Sequence, residues 1–143
     1  MDPATPSSRR LVLVTGPGRS GTSSVTGALE ILGLVIPEPV KPADERNERG
    51  YFEPQWVVDF HERYVNALPV RTLDSRPYAA EVALEHAREV DVAEELRTWL
   101  ASRVGPERML VKDPRLLWVH PLWLEVADGL GLGAVRHPWW AAA

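Results

Sequence analysis

A glycine-rich stretch near the start of the chain combines the residue types that bind a phosphate or a similar anion. Residues 16–23 read Gly-Pro-Gly-Arg-Ser-Gly-Thr-Ser. Closely spaced glycines let the backbone approach a ligand, and successive N–H groups at a helix start point towards anionic oxygens. The Walker A sequence needs Lys directly after the last glycine, but Thr22 stands there and the cation of the stretch is Arg19. The anion-binding candidates are Gly16, Gly18, Arg19, Ser20, Gly21, Thr22 and Ser23.

The elements around this stretch predict how it is positioned. Leu11–Val14 is a short apolar run without alternation, typical of a strand buried on both faces, and the glycine loop follows it. Similar runs precede two other charged segments, which are Lys112-Asp113-Pro114-Arg115 and Arg136-His137-Pro138. We therefore predict an α/β fold with a central parallel sheet flanked by helices, because such sheets bind ligands at the carboxyl ends of their strands. The predicted strands are 11–15, 109–112 and 132–135.

Helices are predicted between the strands, where apolar residues recur at three- and four-residue steps. The first of them has one apolar face, made of Val25, Ala28, Leu29 and Leu32. The longest is a single helix over 79–104, and Pro121 is expected to kink or restart the last one. The predicted helices are 22–32, 54–67, 79–104 and 116–130, with irregular links at 35–50 and 69–77.

Composition limits the classes of function. The chain has 143 residues, a formal net charge of -4 and no cysteine, so we expect one domain over 11–143 and no thiol chemistry. There is no basic stripe for nucleic acid, and the four histidines are too scattered to predict a metal site. No apolar run approaches the ~20 residues that span a bilayer. Residues 1–10 predict a disordered tail without a secretory signal, so we expect a cytoplasmic protein.

Four segments together resemble the bacterial sulfotransferases that use PAPS (3′-phosphoadenosine-5′-phosphosulfate) as sulfuryl donor. They occur in the family's order and cover nearly the whole chain. The segments are the glycine loop with Arg19, Asn47-Glu48-Arg49-Gly50-Tyr51-Phe52-Glu53, Lys112-Asp113-Pro114-Arg115, and Arg136-His137-Pro138. The resemblance implies a P-loop-like sulfotransferase fold and PAPS as the donor, with no metal. It also implies a small-molecule, carbohydrate or lipid acceptor.

The resemblance further implies roles in catalysis. Arg19 would stabilise the charge that grows on the departing nucleotide as the S–O bond breaks, and Arg136 would hold the 3′-phosphate. An acceptor hydroxyl needs a general base, for which Glu53 is the first candidate, His61 the second and His120 the third.

Two interpretations of the segment after the second strand stay open. Lys112 and Arg115 would contact the sulfuryl group or the 5′-phosphate of the donor. Equally, Asp113 and Arg115 would form a structural ion pair while Pro114 starts the next helix. Asp113 would also suit Mg²⁺ in a nucleotide kinase, but the missing loop lysine weakens that interpretation.

One departure from the family concerns the end of the sequence. In the family a Ser also holds the 3′-phosphate, and its expected position is one beyond Ala143. The sequence is therefore expected to be an incomplete N-terminal portion of the domain that binds PAP weakly and does not turn over. Two other functions stay open: a degenerate small-molecule or nucleotide kinase, and a nucleotide-binding remnant without catalysis.

Overall fold

Five helices and three strands make up the described part of the chain in this computed structural model. The described residues are 10–68, 76–103, 105 and 108–134. In chain order the elements are β1 (Arg10–Val14), α1 (Thr22–Ile31), α2 (Gln55–Val65), α3 (Tyr78–Glu89), α4 (Val92–Arg103), β2 (Met109–Lys112), α5 (Leu116–Gly129) and β3 (Gly133–Ala134). The predicted α/β class with a parallel sheet is confirmed, whereas the finer assignment to a sulfotransferase fold stays a prediction.

The sheet has three parallel strands in the order β2-β1-β3. The register of β1 and β2 places Val14 opposite Lys112, and β3 pairs with the first two residues of β1. Val35 extends the outer edge of β2 by one parallel bridge to Met109. Between β2 and β3 the chain crosses from one side of β1 to the other. Ligands bind at the carboxyl ends of the strands where the order reverses in this way, which here is the end of β1.

The predicted strands all appear, with small differences at their ends. The strand predicted at 109–112 has the predicted bounds, and the one at 11–15 begins and ends one residue earlier. The strand predicted at 132–135 is confirmed for Gly133–Ala134, and its last position lies outside the described residues.

Helices cover both faces of the sheet. Leu11 of β1 and Met109 and Val111 of β2 belong to the main core, which α2 to α5 complete. Leu110 is fully buried but lies outside that core cluster. Since successive strand side chains point to opposite faces, Leu110 faces the other layer, which is α1.

Helix α1 does not pack on the sheet through its predicted apolar face. Val25 is 53% exposed and Leu32 is 76% exposed, whereas Thr26 is fully buried. The Thr26 hydroxyl donates to the carbonyl of Thr22 at 2.7 Å, so its burial leaves no unpaired donor. The one fully buried side chain of α1 is therefore a small polar residue rather than a member of the predicted apolar face.

The prediction of one helix over 79–104 is wrong, because the chain divides it into α3 and α4. Asp91 adopts a left-handed conformation with φ 49° between them. An unbroken helix of this length would extend roughly 40 Å, more than a compact domain of this size can cover. The break lets both helices pack against α5. The restart predicted at Pro121 is also absent, since α5 continues through it.

Candidate active site

The glycine loop joins the carboxyl end of β1 to the first turn of α1. Gly16 is buried, and a Cβ at this position would lie 2.9 Å from Ser20 Oγ and 3.0 Å from Thr22 Cγ2. Gly21, directly before α1, has φ 87°, a left-handed conformation that glycine adopts without strain. The compact shape of this loop therefore depends on glycine at both positions.

The glycine loop offers hydrogen-bond donors and open space to a ligand. No side chain caps α1, so the N–H groups of its first turn, from Thr22 onwards, have no side-chain acceptor. Arg19 is exposed, has φ 64°, and makes no hydrogen bond or ion pair with the residues that the structure describes. A Cβ at Gly18 would meet nothing within 4 Å. Backbone donors, a cation and free volume together suit an anionic ligand.

A buried lysine from the neighbouring strand reaches the same place. Lys112 Nζ lies 2.7 Å from Glu53 Oε1, 3.1 Å from the carbonyl oxygen of Tyr51 and 3.4 Å from Ser23 Oγ. Its side chain is only 4% exposed. An ammonium group has three donors, and these three acceptors match that number. Lys112 thus brings a fixed positive charge to the start of α1, where the sequence itself has Thr22 in place of a loop lysine.

Glu53 lies between the only two lysines of the sequence, Lys41 and Lys112. Lys41 Nζ is 3.8 Å from Glu53 Oε2 and 4.1 Å from the centroid of the Tyr51 ring. The Tyr51 hydroxyl in turn donates to Asp44 at 2.7 Å. These contacts bind the segment 41–53 to the end of β2, and they place a carboxylate beside the glycine loop.

A buried polar cluster holds the turn that follows Lys112. The Oδ2 of Asp113 accepts a hydrogen bond from Arg115 Nη1 at 3.0 Å, and its Oδ1 accepts one from the Arg115 backbone N–H at 2.7 Å. The same Oδ1 lies 3.3 Å from His61 Nδ1, although the two groups are poorly aligned for a hydrogen bond. Arg115 also donates to Glu62 at 2.7 Å, and Trp123 Nε1 donates to His61 Nε2 at 3.0 Å.

Several predicted site residues converge in the structure. The glycine loop, Lys112 and Glu53 meet at the carboxyl edge of the sheet, with Ser23 in contact with Lys112. Arg115 forms the ion pair with Asp113 that the sequence left open as an alternative. The role of Arg115 as a ligand for the donor stays a prediction.

The other predicted site residues lie apart from this edge or outside the described part of the chain. His61 is fully buried between Trp123 and Asp113. His120 is a half-buried residue of α5 in a groove that Asp128 also lines. Arg136 and the His-Pro pair after it lie outside the described residues.

Sequence reasoning missed two residues that the structure places in these contacts. Lys41 approaches Glu53, and Trp123 binds His61. The composition could have drawn attention to Lys41, because lysine is rare in this chain: only two of the 16 basic residues are lysines. No comparable signal marked Trp123, since its partner lies 62 residues away in the sequence.

The buried Asp113 carboxyl predicts a loss of stability in acid. Burial raises the pKa of Asp113, but the nearby His61 ring N–H, the Arg115 guanidinium and the Arg115 backbone N–H outweigh burial and lower the pKa below its ordinary value of 3.8. Such a carboxyl adds stability above its unfolded-state pKa, and this stability is lost as pH falls through the folded-state pKa. Urea unfolding should therefore show a decline below pH 3.8 that is smaller in Asp113→Asn. Glu48→Gln, at an exposed carboxyl, is the control, and equal declines in the wild type and Asp113→Asn would contradict the assignment.

The fold and the site define a mixed α/β protein with a candidate anion site at the carboxyl edge of a parallel sheet. No protein-family model, curated protein or solved structure matches the chain. Within residues 10–68, 76–103 and 108–134, no helix has the length and apolar character needed to cross a membrane. The same residues contain no group of three His, Asp or Glu side chains placed to hold a metal ion.

Proposed function

We propose that the chain is a PAPS-dependent sulfotransferase domain, which binds the donor at the carboxyl edge of the sheet. It would transfer the sulfuryl group to an acceptor hydroxyl or amine. The observation that carries this proposal is the reach of Lys112 from β2 to Ser23, with 3.4 Å between Nζ and Oγ. A cation from the neighbouring strand thereby serves a glycine loop that has no lysine of its own.

Binding of the donor would rest on the loop and its two cations. The uncapped N–H groups at the start of α1 suit the oxygens of the 5′-phosphosulfate group. Arg19 has no partner among the described residues and is therefore able to turn towards the ligand without breaking an ion pair. The net charge of -4 makes such a local site necessary, because the overall charge would repel an anionic nucleotide.

Sulfuryl transfer forms one bond to sulfur and breaks another. The acceptor oxygen or nitrogen bonds to sulfur while the bond from sulfur to the bridging oxygen of PAPS breaks, and PAP departs. The acceptor's proton passes to a base, for which we propose the Glu53 carboxylate beside Lys112. Arg19 and Lys112 would stabilise the negative charge that grows on the bridging oxygen, and Arg19 would do so without losing its own proton.

The bonds that Asp113 already makes favour this reaction over phosphoryl transfer with Mg²⁺. Nucleotide kinases and triphosphatases hold Mg²⁺ with carboxylate oxygens near the bound phosphates. Asp113 follows β2 directly, but its two oxygens accept from Arg115 and face His61. A Mg²⁺ ion held there would have to displace one of these buried partners.

Calorimetry on the 143-residue chain tests the proposal. PAP should bind without a divalent cation, and at least about tenfold more tightly than ATP with Mg²⁺. Adenosine is the control ligand, and it should bind far more weakly because it carries no anionic group. Tighter binding of ATP with Mg²⁺ than of PAP would reject the sulfotransferase assignment in favour of the kinase.

A further inference from the structure

The hydrogen bond from Trp123 decides which ring nitrogen of His61 carries the proton. An indole N–H can only donate, so His61 Nε2, 3.0 Å away, accepts and carries no proton. The proton of the neutral ring is then on Nδ1, which lies 3.3 Å from Asp113 Oδ1. His61 and Asp113 are both 0% exposed, so neither group has access to water in this arrangement. The ring of His61 therefore offers no lone pair to a substrate.

Helix α2 and the segment that precedes it hold the end of β2 at two points. Two residues before the helix, the Glu53 carboxylate accepts from Lys112 Nζ at 2.7 Å. About two helical turns further on, His61 faces Asp113, the next residue after Lys112. The backbone N–H of Asp113 also donates to the carbonyl of Val14 at 3.3 Å, at the point where β1 leads into the glycine loop. The direction in which Lys112 leaves the sheet thus depends on how Asp113 is held.

We propose that His61 is a positioning residue that holds the Asp113 side chain and thereby keeps Lys112 directed at the glycine loop. The inference rests on the proposed function, because Lys112 is the fixed cation of the proposed donor site. It also separates the first two of the three candidate bases of the sequence: Glu53 lies at the site, and His61 acts on it through Asp113.

The test compares three substitutions on α2. His61→Leu removes both polar contacts of the ring, whereas His61→Asn keeps an amide N–H close to the position of Nδ1. Phe60→Leu is the packing control, because Phe60 is a buried neighbour of His61 that has no polar atom in its side chain. Urea unfolding of each variant measures the stability lost through packing alone.

Two readouts report on Lys112. The first is PAP affinity by calorimetry. The second is the NMR signal of the side-chain amines in protein with isotope-labelled lysine. Only Lys41 and Lys112 contribute to it, and Lys41→Arg assigns the two signals.

We expect His61→Leu to weaken PAP binding about tenfold and to shift the Lys112 signal, because Asp113 loses the ring N–H that faces it. His61→Asn should restore both readouts to nearly the wild-type values. Phe60→Leu should lose stability and leave both readouts unchanged.

Two results would overturn the positioning role. One is equal changes in both readouts for Phe60→Leu and His61→Leu, which would mean that only packing matters. The other is a folded His61→Asn that behaves like His61→Leu. If the wild-type chain does not bind PAP, the proposed function fails, but the Lys112 signal still decides whether His61 controls the position of this lysine.

Discussion

Replacement of Lys112 with Met should destabilise the chain by about 3 kcal/mol, measured by urea unfolding at neutral pH. The physical reason is the carboxylate that remains. Glu53 is 4% exposed in its side chain, and the substitution removes the ammonium group at 2.7 Å. Removal of one partner from a buried ion pair typically costs about 3–5 kcal/mol, because the other charge stays buried without compensation. We expect the lower end of this range, since Lys41 Nζ stays 3.8 Å from Glu53.

A double substitution distinguishes two causes of the stability loss: the buried charge that is left unpaired, and the absence of the lysine side chain itself. Adding Glu53→Gln to Lys112→Met removes the buried charge and should recover roughly half or more of the lost stability. The recovery is incomplete because the Tyr51 carbonyl and the Ser23 hydroxyl still lack their partner.

Lys41→Met is the matched control for the other lysine of the sequence. Lys41 is 31% exposed and lies further from Glu53, so its loss should cost less than about 1 kcal/mol. If Lys112→Met alone were as stable as the wild type, or if the second substitution lowered stability further, the ion pair would not hold this part of the fold.

The fold was predictable where local pattern and tertiary contact agree. The apolar run Leu11–Val14 made β1, the central strand, recognisable from its own residues, although only Leu11 is buried and the other three are half-buried. The glycine loop was also recognisable, since the close contacts at Gly16 and the positive φ of Gly21 both select glycine. The break at Asp91 was not, because the apolar stripe continues across it and only packing against α5 divides the helix.

The sequence predicted which residues belong to the site better than it predicted which of them contact each other. Lys112 and Glu53 were both candidates, but their pairing joins residues 59 positions apart and no local pattern encodes it. For His61, sequence reasoning considered a proton-transfer role because histidine is a common general base. Burial against Trp123 and Asp113 gives the ring structural partners that only the folded chain brings together.

The second large effect is expected from Gly16→Ala, which should weaken PAP binding by about tenfold or more. The new methyl group would lie 2.9 Å from Ser20 Oγ and 3.0 Å from Thr22 Cγ2, closer than carbon atoms normally approach such neighbours. The loop would therefore have to shift, and its N–H groups would move with it. Displacement of positioning groups by about 1 Å can cost about 100-fold in reaction rate, and we expect a smaller loss for binding alone. The stability loss should be smaller, about 1–3 kcal/mol, as for other overpacked positions.

Two variants of the same loop decide whether the methyl contact is the cause. Gly18→Ala adds the same group where nothing lies within 4 Å, so its stability should equal that of the wild type. Its effect on PAP binding then reports whether the ligand occupies the open space beside Gly18. Adding Ser20→Ala to Gly16→Ala removes the closer of the two contacts and should recover part of the lost stability. It should also recover part of the lost PAP affinity, unless the Ser20 hydroxyl itself binds PAP. Unchanged PAP affinity in a folded Gly16→Ala protein would show that the loop does not hold the donor, and the anion site would have to lie elsewhere on the sheet edge.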